Sequence, residues 1–172
     1  LLDGLCGQSM QAVKASDSFM MMQSQLSQVL NLLAPYVRSP ADIPRNFTWR
    51  RPATISNKKH IFVVGCPRSG TTLLQRTLSL HPALFSLNQE TNLFSYREIF
   101  SRNWFNLPGG QLVDLFNRSV DIVDFFDNAV DSLKSPLDPV VFVEKTPQHV
   151  LKLPFLIRHF PESRFIHIVR DG

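Results

Sequence analysis

Residues 61–72 read Ile-Phe-Val-Val-Gly-Cys-Pro-Arg-Ser-Gly-Thr-Thr, and this stretch decides the fold of the chain. The β-branched run before Gly65 predicts a short buried strand. A helix is predicted for residues 71–80, and it is expected to end at His81-Pro82. A loop running from Gly65 to Gly70 between a strand and a helix surrounds an anion with main-chain N–H groups and the positive end of the helix. The stretch therefore predicts a phosphate-binding loop.

The loop differs from that of the nucleoside triphosphatases, G-x-x-x-x-G-K-[ST], because Thr71 stands where the motif has lysine. That lysine holds the β- and γ-phosphates of a triphosphate, which also brings Mg²⁺. A phosphosulfate is smaller and less charged than a triphosphate, and we expect hydroxyls on Ser69, Thr71 and Thr72, with the cation Arg68, to be able to hold such an anion. The later strand is followed by Glu144 and not by an aspartate that would bind the metal. Kinase or triphosphatase chemistry is therefore disfavoured.

Short apolar runs and amphipathic segments alternate after the loop. Strands are predicted for residues 84–87, 140–143 and 164–169, and helices for residues 92–102, 111–133 and 149–160. Strands separated by helices imply βαβ units and a parallel sheet. The predicted fold class is α/β: a P-loop-containing three-layer fold with a parallel sheet flanked by helices, incomplete at the C-terminus.

Five aspartates recur along the predicted helix 111–133, namely Asp114, Asp121, Asp124, Asp127 and Asp131. They predict a solvated helix face, with a metal cluster as the alternative. His149, His159 and His167 are interpreted as surface or packing residues.

Residues 1–59 differ in composition from the remainder of the chain. A helix is predicted from about Asp17, with Ser16 or Asp17 as its N-cap and apolar residues on one side up to Leu33. It is interpreted as a packing or partner helix, and a membrane-surface helix is the alternative. Residues 35–59 hold four prolines and six basic residues, which predict a linker or extended segment. The domains are thus a helical extension with a Pro/Arg-rich linker, residues 1–59, and the α/β domain, residues 60–172.

Composition limits the classes of function. The chain has 172 residues, of which 44% are hydrophobic and 19% charged, and a net charge of +4. Its basic residues are scattered, which favours a small polyanion over nucleic acid as the ligand. The two cysteines form no disulfide framework, and no apolar run reaches the ~20 residues of a membrane span. Because the chain starts at Leu1 and stops at a strand-to-loop junction, we expect further residues after Gly172.

The loop and three later segments resemble the sulfotransferases that use 3′-phosphoadenosine 5′-phosphosulfate (PAPS). Residues 67–72, Pro-Arg-Ser-Gly-Thr-Thr, are similar to the 5′-phosphosulfate loop of the tyrosylprotein sulfotransferases and related bacterial enzymes. Gln89-Glu90-Thr91 resembles their catalytic glutamate segment, and residues 144–147 resemble their catalytic lysine segment. Residues 160–172 resemble the strand that presents a 3′-phosphate-binding arginine. The resemblance covers residues 60–172.

The resemblance implies metal-free transfer of a sulfuryl group from PAPS to a hydroxyl of tyrosine, a carbohydrate or a small alcohol. Glu90 is the implied general base, and Lys145 and Arg68 are the implied cations that neutralise developing charge. The implied nucleotide contacts are made by Arg68, Ser69, Gly70, Thr71, Thr72 and Arg170.

Two other functions stay open at this stage. A P-loop nucleotide kinase or triphosphatase would bind MgATP, and a non-catalytic nucleotide-binding protein would not depend on Arg68 or Lys145. The compartment expected from the resemblance is the cytoplasm for a bacterial protein and the Golgi lumen for a eukaryotic one. A homodimer is one of the open oligomeric states.

Overall fold

The computed structural model of the protein describes residues 42–95, 99–100, 102–134 and 141–170, together with the single residue Gln23. The chain divides into two units, Leu1–Ile43 and Pro44–Gly172, and nearly all described residues belong to the second. Gln23 is helical, and the rest of the helix predicted from Asp17 lies outside the described residues.

Four parallel strands form the sheet of the second unit. They are β1 (His60–Gly65), β2 (Leu84–Ser86), β3 (Val141–Lys145) and β4 (Arg164–Ile168), in the spatial order β2-β3-β1-β4. The helices are α1 (Asp42–Trp49), α2 (Thr71–Leu78), α3 (Gly109–Arg118), α4 (Ile122–Leu133), a 3₁₀ helix (Pro147–Lys152) and α5 (Leu153–His159). The predicted α/β class and parallel sheet are confirmed.

Strand β1 lies at the centre of the core. Phe62 and Val64 belong to the main apolar cluster, and Val63, which alternation places on the other face, is also fully buried. Both faces of β1 are therefore covered, as its continuous apolar sequence predicts. Phe62 packs between the rings of Phe126 and Phe165, at centroid distances of 5.8 and 5.4 Å.

Residues 35–59 predict a linker or extended segment, and this prediction is wrong for Asp42–Trp49, which form helix α1. Trp49 at the end of this helix is buried, and its ring lies 5.9 Å from that of Phe125. The Asn46 side chain accepts a hydrogen bond from the N–H of Ile99, 2.8 Å away. The helix is held by these tertiary contacts, which the local proline pattern does not encode.

Residues 111–133 are predicted as one helix but belong to two, because the helical backbone is interrupted between Arg118 and Ile122. Asp121 is the N-cap of α4, and its carboxylate accepts hydrogen bonds from the N–H groups of Val123 and Asp124. A cap of this kind satisfies main-chain donors that would otherwise lack partners at a helix start. Asp121 therefore marks a helix boundary.

The prediction of a solvated aspartate face is also wrong for Asp127, which is buried. Its carboxylate accepts a hydrogen bond from the Ser56 hydroxyl at 2.6 Å and lies 2.9 Å from Nε2 of His60. Asp131 nearby is half exposed and pairs with Lys58. These contacts hold residues 56–60, which lead into β1, against helix α4.

Residues 92–102 were predicted as a helix, and this is wrong for the part described. Residues 92–95, 99–100 and 102 form turns and irregular structure. Leu93, Phe94 and Ile99 are nevertheless buried, so the apolar pattern reflects packing against the core. Within the described ranges, no helix is long and apolar enough to cross a membrane.

Replacing Gly65 by alanine is expected to destabilise the fold by about 1–3 kcal/mol. Gly65 has a φ of +155°, and a Cβ on this backbone would lie 2.5 Å from the carbonyl oxygen of Ile168 in the neighbouring strand β4. The measurement is chemical denaturation. Gly110→Ala is the matched control, because a Cβ there meets nothing within 4 Å, and its stability should be unchanged or up to about 1 kcal/mol higher. Equal stability of both variants would contradict the close approach.

Candidate active site

The loop after β1 forms a tight turn that opens into α2. The Cys66 carbonyl accepts hydrogen bonds from the Ser69 N–H at 3.2 Å and from the Ser69 hydroxyl at 2.6 Å. Arg68 and Gly70 adopt left-handed backbone conformations, with φ of +65° and +100°. Gly70 can do so without steric cost, since it has no Cβ. The predicted strand–loop–helix is confirmed.

The first turn of α2 presents its main-chain donors without a side-chain cap. Its N-cap residue is Gly70, which has no side chain to accept these hydrogen bonds. The N–H groups at a helix start and the helix dipole together favour an anion. The predicted hydroxyl ligands differ in position: Thr72 is exposed, Thr71 is buried, and the Ser69 hydroxyl is engaged inside the loop.

Arg170 lies against the loop, although it follows β4 and is 102 residues from Arg68. Its Nη1 donates to the main-chain carbonyl of Arg68 at 3.4 Å. Gly65 and Ile168 are register partners in the sheet, so the ends of β1 and β4 are adjacent. Both arginine side chains are exposed at this edge. The structure thus brings together two cations that sequence analysis assigned to the same nucleotide.

Glu90 and Lys145 form an ion pair. Nζ of Lys145 lies 2.7 Å from Oε1 of Glu90, across 55 residues of sequence. The Lys145 side chain is 7% exposed, whereas that of Glu90 is 38% exposed. Lys145 ends β3 and is the register partner of Val63, two residues before the loop. The predicted base and the predicted cation therefore meet at the carboxyl edge of the sheet, where α/β folds bind ligands.

A groove adjoins the ion pair. It is lined by residues 89–92 on one side and by Arg102, Asn103 and Trp104 on the other. Glu90 is part of this lining, and its side chain is partly exposed. The lining includes charged and amide side chains together with Trp104, which is buried.

Glu144, beside Lys145, is the buried centre of a polar cluster. Oε1 accepts hydrogen bonds from Thr91 at 2.8 Å and Thr146 at 2.6 Å, and Oε2 lies 3.0 Å from Nδ1 of His149. Burial by itself raises the pKa of Glu144, but the charge and hydrogen bond of His149, with the hydrogen bonds of Thr146 and Thr91, outweigh burial and hold this pKa below its ordinary value. The carboxylate is therefore the stable form.

The cluster is the part of the site that the sequence prediction missed. The sequence interprets His149 as a surface or packing residue and gives Glu144 no role of its own within the segment 144–147. A local signal did exist, because an acidic residue at the end of an apolar strand is unusual unless it is paired. Across the ranges that the structure describes, no group of three His, Cys, Asp or Glu side chains is arranged to hold a metal ion.

Comparison with known proteins now identifies the family. The model of the Sulfotransferase family matches residues 60–172, which include the loop, Glu90, Lys145 and Arg170. The chain belongs to the sulfotransferase family.

Similar proteins include two protein-tyrosine sulfotransferases. Protein-tyrosine sulfotransferase 1 of Rattus norvegicus is 28% identical over 142 residues, which are 79% of this chain and 37% of that protein. Protein-tyrosine sulfotransferase 2 of Gallus gallus is 30% identical over 117 residues, which are 65% of this chain and 31% of that protein. This sulfotransferase-family chain thus spans well under half the length of these relatives.

A solved structure was also found, that of sulfotransferase STF9 from Mycobacterium avium. It aligns with a TM-score of 0.47 and 17% identity, over 76% of this chain and 46% of that one.

Proposed function

We propose that this chain forms the donor-binding part of an enzyme that transfers a sulfuryl group from PAPS to an acceptor hydroxyl. The observation that carries the proposal is the 2.7 Å contact between Lys145 and Glu90. A base and a cation, each assigned from its own short motif, are brought together by the fold at the edge of the sheet that carries the phosphate loop.

The loop suits the 5′ end of such a nucleotide. Its donors are the uncapped N–H groups that follow Gly70 and the exposed Thr72. Arg68 supplies a charge where a triphosphatase would use lysine and Mg²⁺. The Ser69 hydroxyl, which donates to Cys66, contributes to ligand binding only after rotation. The residues present thus fit an anion that is smaller than a triphosphate.

Arg170 fits the 3′-phosphate. It stands next to the loop, and its guanidinium already reaches the main chain of Arg68. A phosphate is a stronger acceptor than a neutral carbonyl at 3.4 Å, and arginine can hold it with two parallel hydrogen bonds. We infer that the nucleotide displaces the weak contact to Arg68.

The transfer needs a base on the acceptor side and cations on the donor side. Glu90 accepts the hydroxyl proton as the new S–O bond forms, while the S–O bond to the nucleotide breaks and its electron pair stays on the departing phosphate oxygen. Lys145 and Arg68 neutralise the charge that develops on the sulfuryl and departing oxygens. Because the protein supplies these cations, the step requires no metal ion.

The acceptor enters through the groove that Glu90 lines. We propose a tyrosyl acceptor because the chain is similar to two protein-tyrosine sulfotransferases. Carbohydrate hydroxyls are the alternative acceptor class.

Calorimetry with 3′,5′-ADP tests the donor assignment on the full-length protein. We expect binding in the presence of EDTA, since no metal is required. Heat from MgATP with none from 3′,5′-ADP would contradict the proposal and favour a kinase or triphosphatase.

Arg170→Ala is expected to weaken the binding of 3′,5′-ADP by about 10- to 100-fold, because losing hydrogen bonds to a charged group lowers affinity by this amount. Binding of adenosine 5′-monophosphate should not change, because this nucleotide lacks the 3′-phosphate. Arg158→Ala, at an exposed arginine of α5, is the control. An equal loss for both nucleotides would show that Arg170 does not read the 3′-phosphate.

A further inference from the structure

The segment that carries Glu90 is not part of the sheet or of a helix. Residues 87–92 have irregular structure, and residues 88–90 are exposed. A general base must nevertheless be held within hydrogen-bond reach of the proton it takes. The contacts that hold this segment therefore determine whether Glu90 stays next to Lys145.

Two hydroxyls connect this segment to the end of β3. Thr91 follows Glu90 and donates to Oε1 of Glu144 at 2.8 Å, while Thr146 follows Lys145 and donates to the same oxygen at 2.6 Å. One carboxylate oxygen thus joins the immediate neighbours of both reacting residues. Glu144, Thr91 and Thr146 are all at most 2% exposed, so water does not compete for these hydrogen bonds.

Two further contacts join the same segments. The N–H of Asn92 donates to the Thr146 hydroxyl at 3.1 Å. The ring of Phe94 lies edge-on to the ring of His149, with centroids 5.2 Å apart, and His149 is itself bonded to Glu144. The residues from Thr91 to Phe94 are therefore fixed to the Glu144 cluster at three successive points.

Stability alone does not explain a carboxylate at this position. Burying a charge costs free energy, and an apolar residue of similar volume often stabilises a core equally well or better. The arrangement is instead specific in what it connects, because the Glu144 carboxylate accepts hydrogen bonds from Thr91, which follows Glu90, and from Thr146, which follows Lys145.

We infer that Glu144 is a positioning residue, which holds Glu90 against Lys145 through the hydroxyls of Thr91 and Thr146. The inference rests on the proposed function, because it assigns Glu90 a part in the reaction. Glu144 is not itself among the residues that line the groove, and it acts on Glu90 and Lys145 through these neighbours.

Thr91→Val tests the inference in the full-length protein. This change keeps the shape of the side chain and removes only the hydroxyl, whereas Glu144→Gln alters a fully buried charge and risks misfolding. We expect Thr91→Val to lower kcat by about 10- to 100-fold, since small misplacement of a catalytic group has effects of this size. The KM for PAPS and the affinity for 3′,5′-ADP should stay unchanged, and Thr91→Ser should restore kcat.

Thr48→Val is the matched control, because the hydroxyl of Thr48 bonds only to carbonyls of its own helix among the contacts described. Its kcat should equal that of the wild type. The melting temperature of each variant separates a loss of activity from a loss of fold.

A double-mutant cycle distinguishes positioning from a general structural role. If Thr91 acts through Glu90, then Thr91→Val has little further effect on kcat in a Glu90→Gln background. An unchanged kcat in the single variant, or an equal loss in both backgrounds, would overturn the inference and leave the proposed function intact. A wild-type protein without sulfuryl transfer would overturn the proposed function, and the inference with it.

Discussion

Glu90→Gln is expected to lower kcat for sulfuryl transfer by about 10²–10⁴-fold in the full-length protein, the usual contribution of a positioned general base. Glutamine keeps the size of the side chain and can still accept a hydrogen bond from Lys145, but it cannot take the proton of the acceptor hydroxyl. Glu90 lines the groove and is 38% exposed, so its loss should not affect folding. The measurement is steady-state turnover of PAPS with a tyrosyl peptide acceptor.

The affinity for 3′,5′-ADP should be unchanged in this variant, because Glu90 is assigned to the acceptor side. Glu162→Gln is the matched control: Glu162 is exposed and precedes β4, at the amino edge of the sheet, away from the loop. Wild-type kcat in the Glu90→Gln variant would show that the ion pair with Lys145 is purely structural.

Lys145→Ala is expected to lower kcat by about 10²–10³-fold, the effect of removing one preorganised donor from a developing negative charge. The Lys145 side chain is 7% exposed, so its charge is screened little by water and acts strongly on a nearby anion. Stability should change little, since the Glu90 carboxylate that loses its partner is partly solvated. Turnover and the melting temperature are measured together.

Lys145→Arg should restore only part of the activity, because the planar guanidinium does not place its charge where the ammonium does. Lys59→Ala is the control, since Lys59 is an exposed lysine directly before β1, at the opposite end of the strands. A loss confined to KM, with kcat unchanged, would mean that Lys145 contributes to binding alone and not to the transition state.

The parts of the fold that were predicted correctly are local. The run from Ile61 to Gly65, the turn to Gly70 and the start of α2 lie within a dozen consecutive residues, and their hydrogen bonds connect near neighbours. Alternation of apolar runs with amphipathic segments likewise predicted β2, β3, β4 and α5, apart from a 3₁₀ start at Pro147–Lys152. Hydrophobic periodicity and turn residues were sufficient for these elements.

The wrong predictions concern segments whose structure depends on distant contacts. The helix α1 is stabilised by Trp49 in the core, against residues some 75 positions away along the chain, such as Phe125. Asp121 and Asp127 look alike within a periodic pattern, yet the first caps a helix and the second accepts from Ser56. Periodicity identifies which residues are apolar but not which polar residue finds a buried partner.

By itself, the amino-acid sequence determined the strand, loop and helix of residues 61–78, the parallel α/β class and the resemblance that later comparison confirmed as membership of the sulfotransferase family. It also supplied the candidate residues of the site, one motif at a time. Only the tertiary structure decided that Lys145 contacts Glu90 and that Glu144 joins Thr91 to Thr146. The physical reason is that parallel pairing of β3 with β2 places the segment after β2 beside the end of β3, more than 50 positions away along the chain. The geometry of such contacts follows from sheet register and core packing, which no local pattern contains.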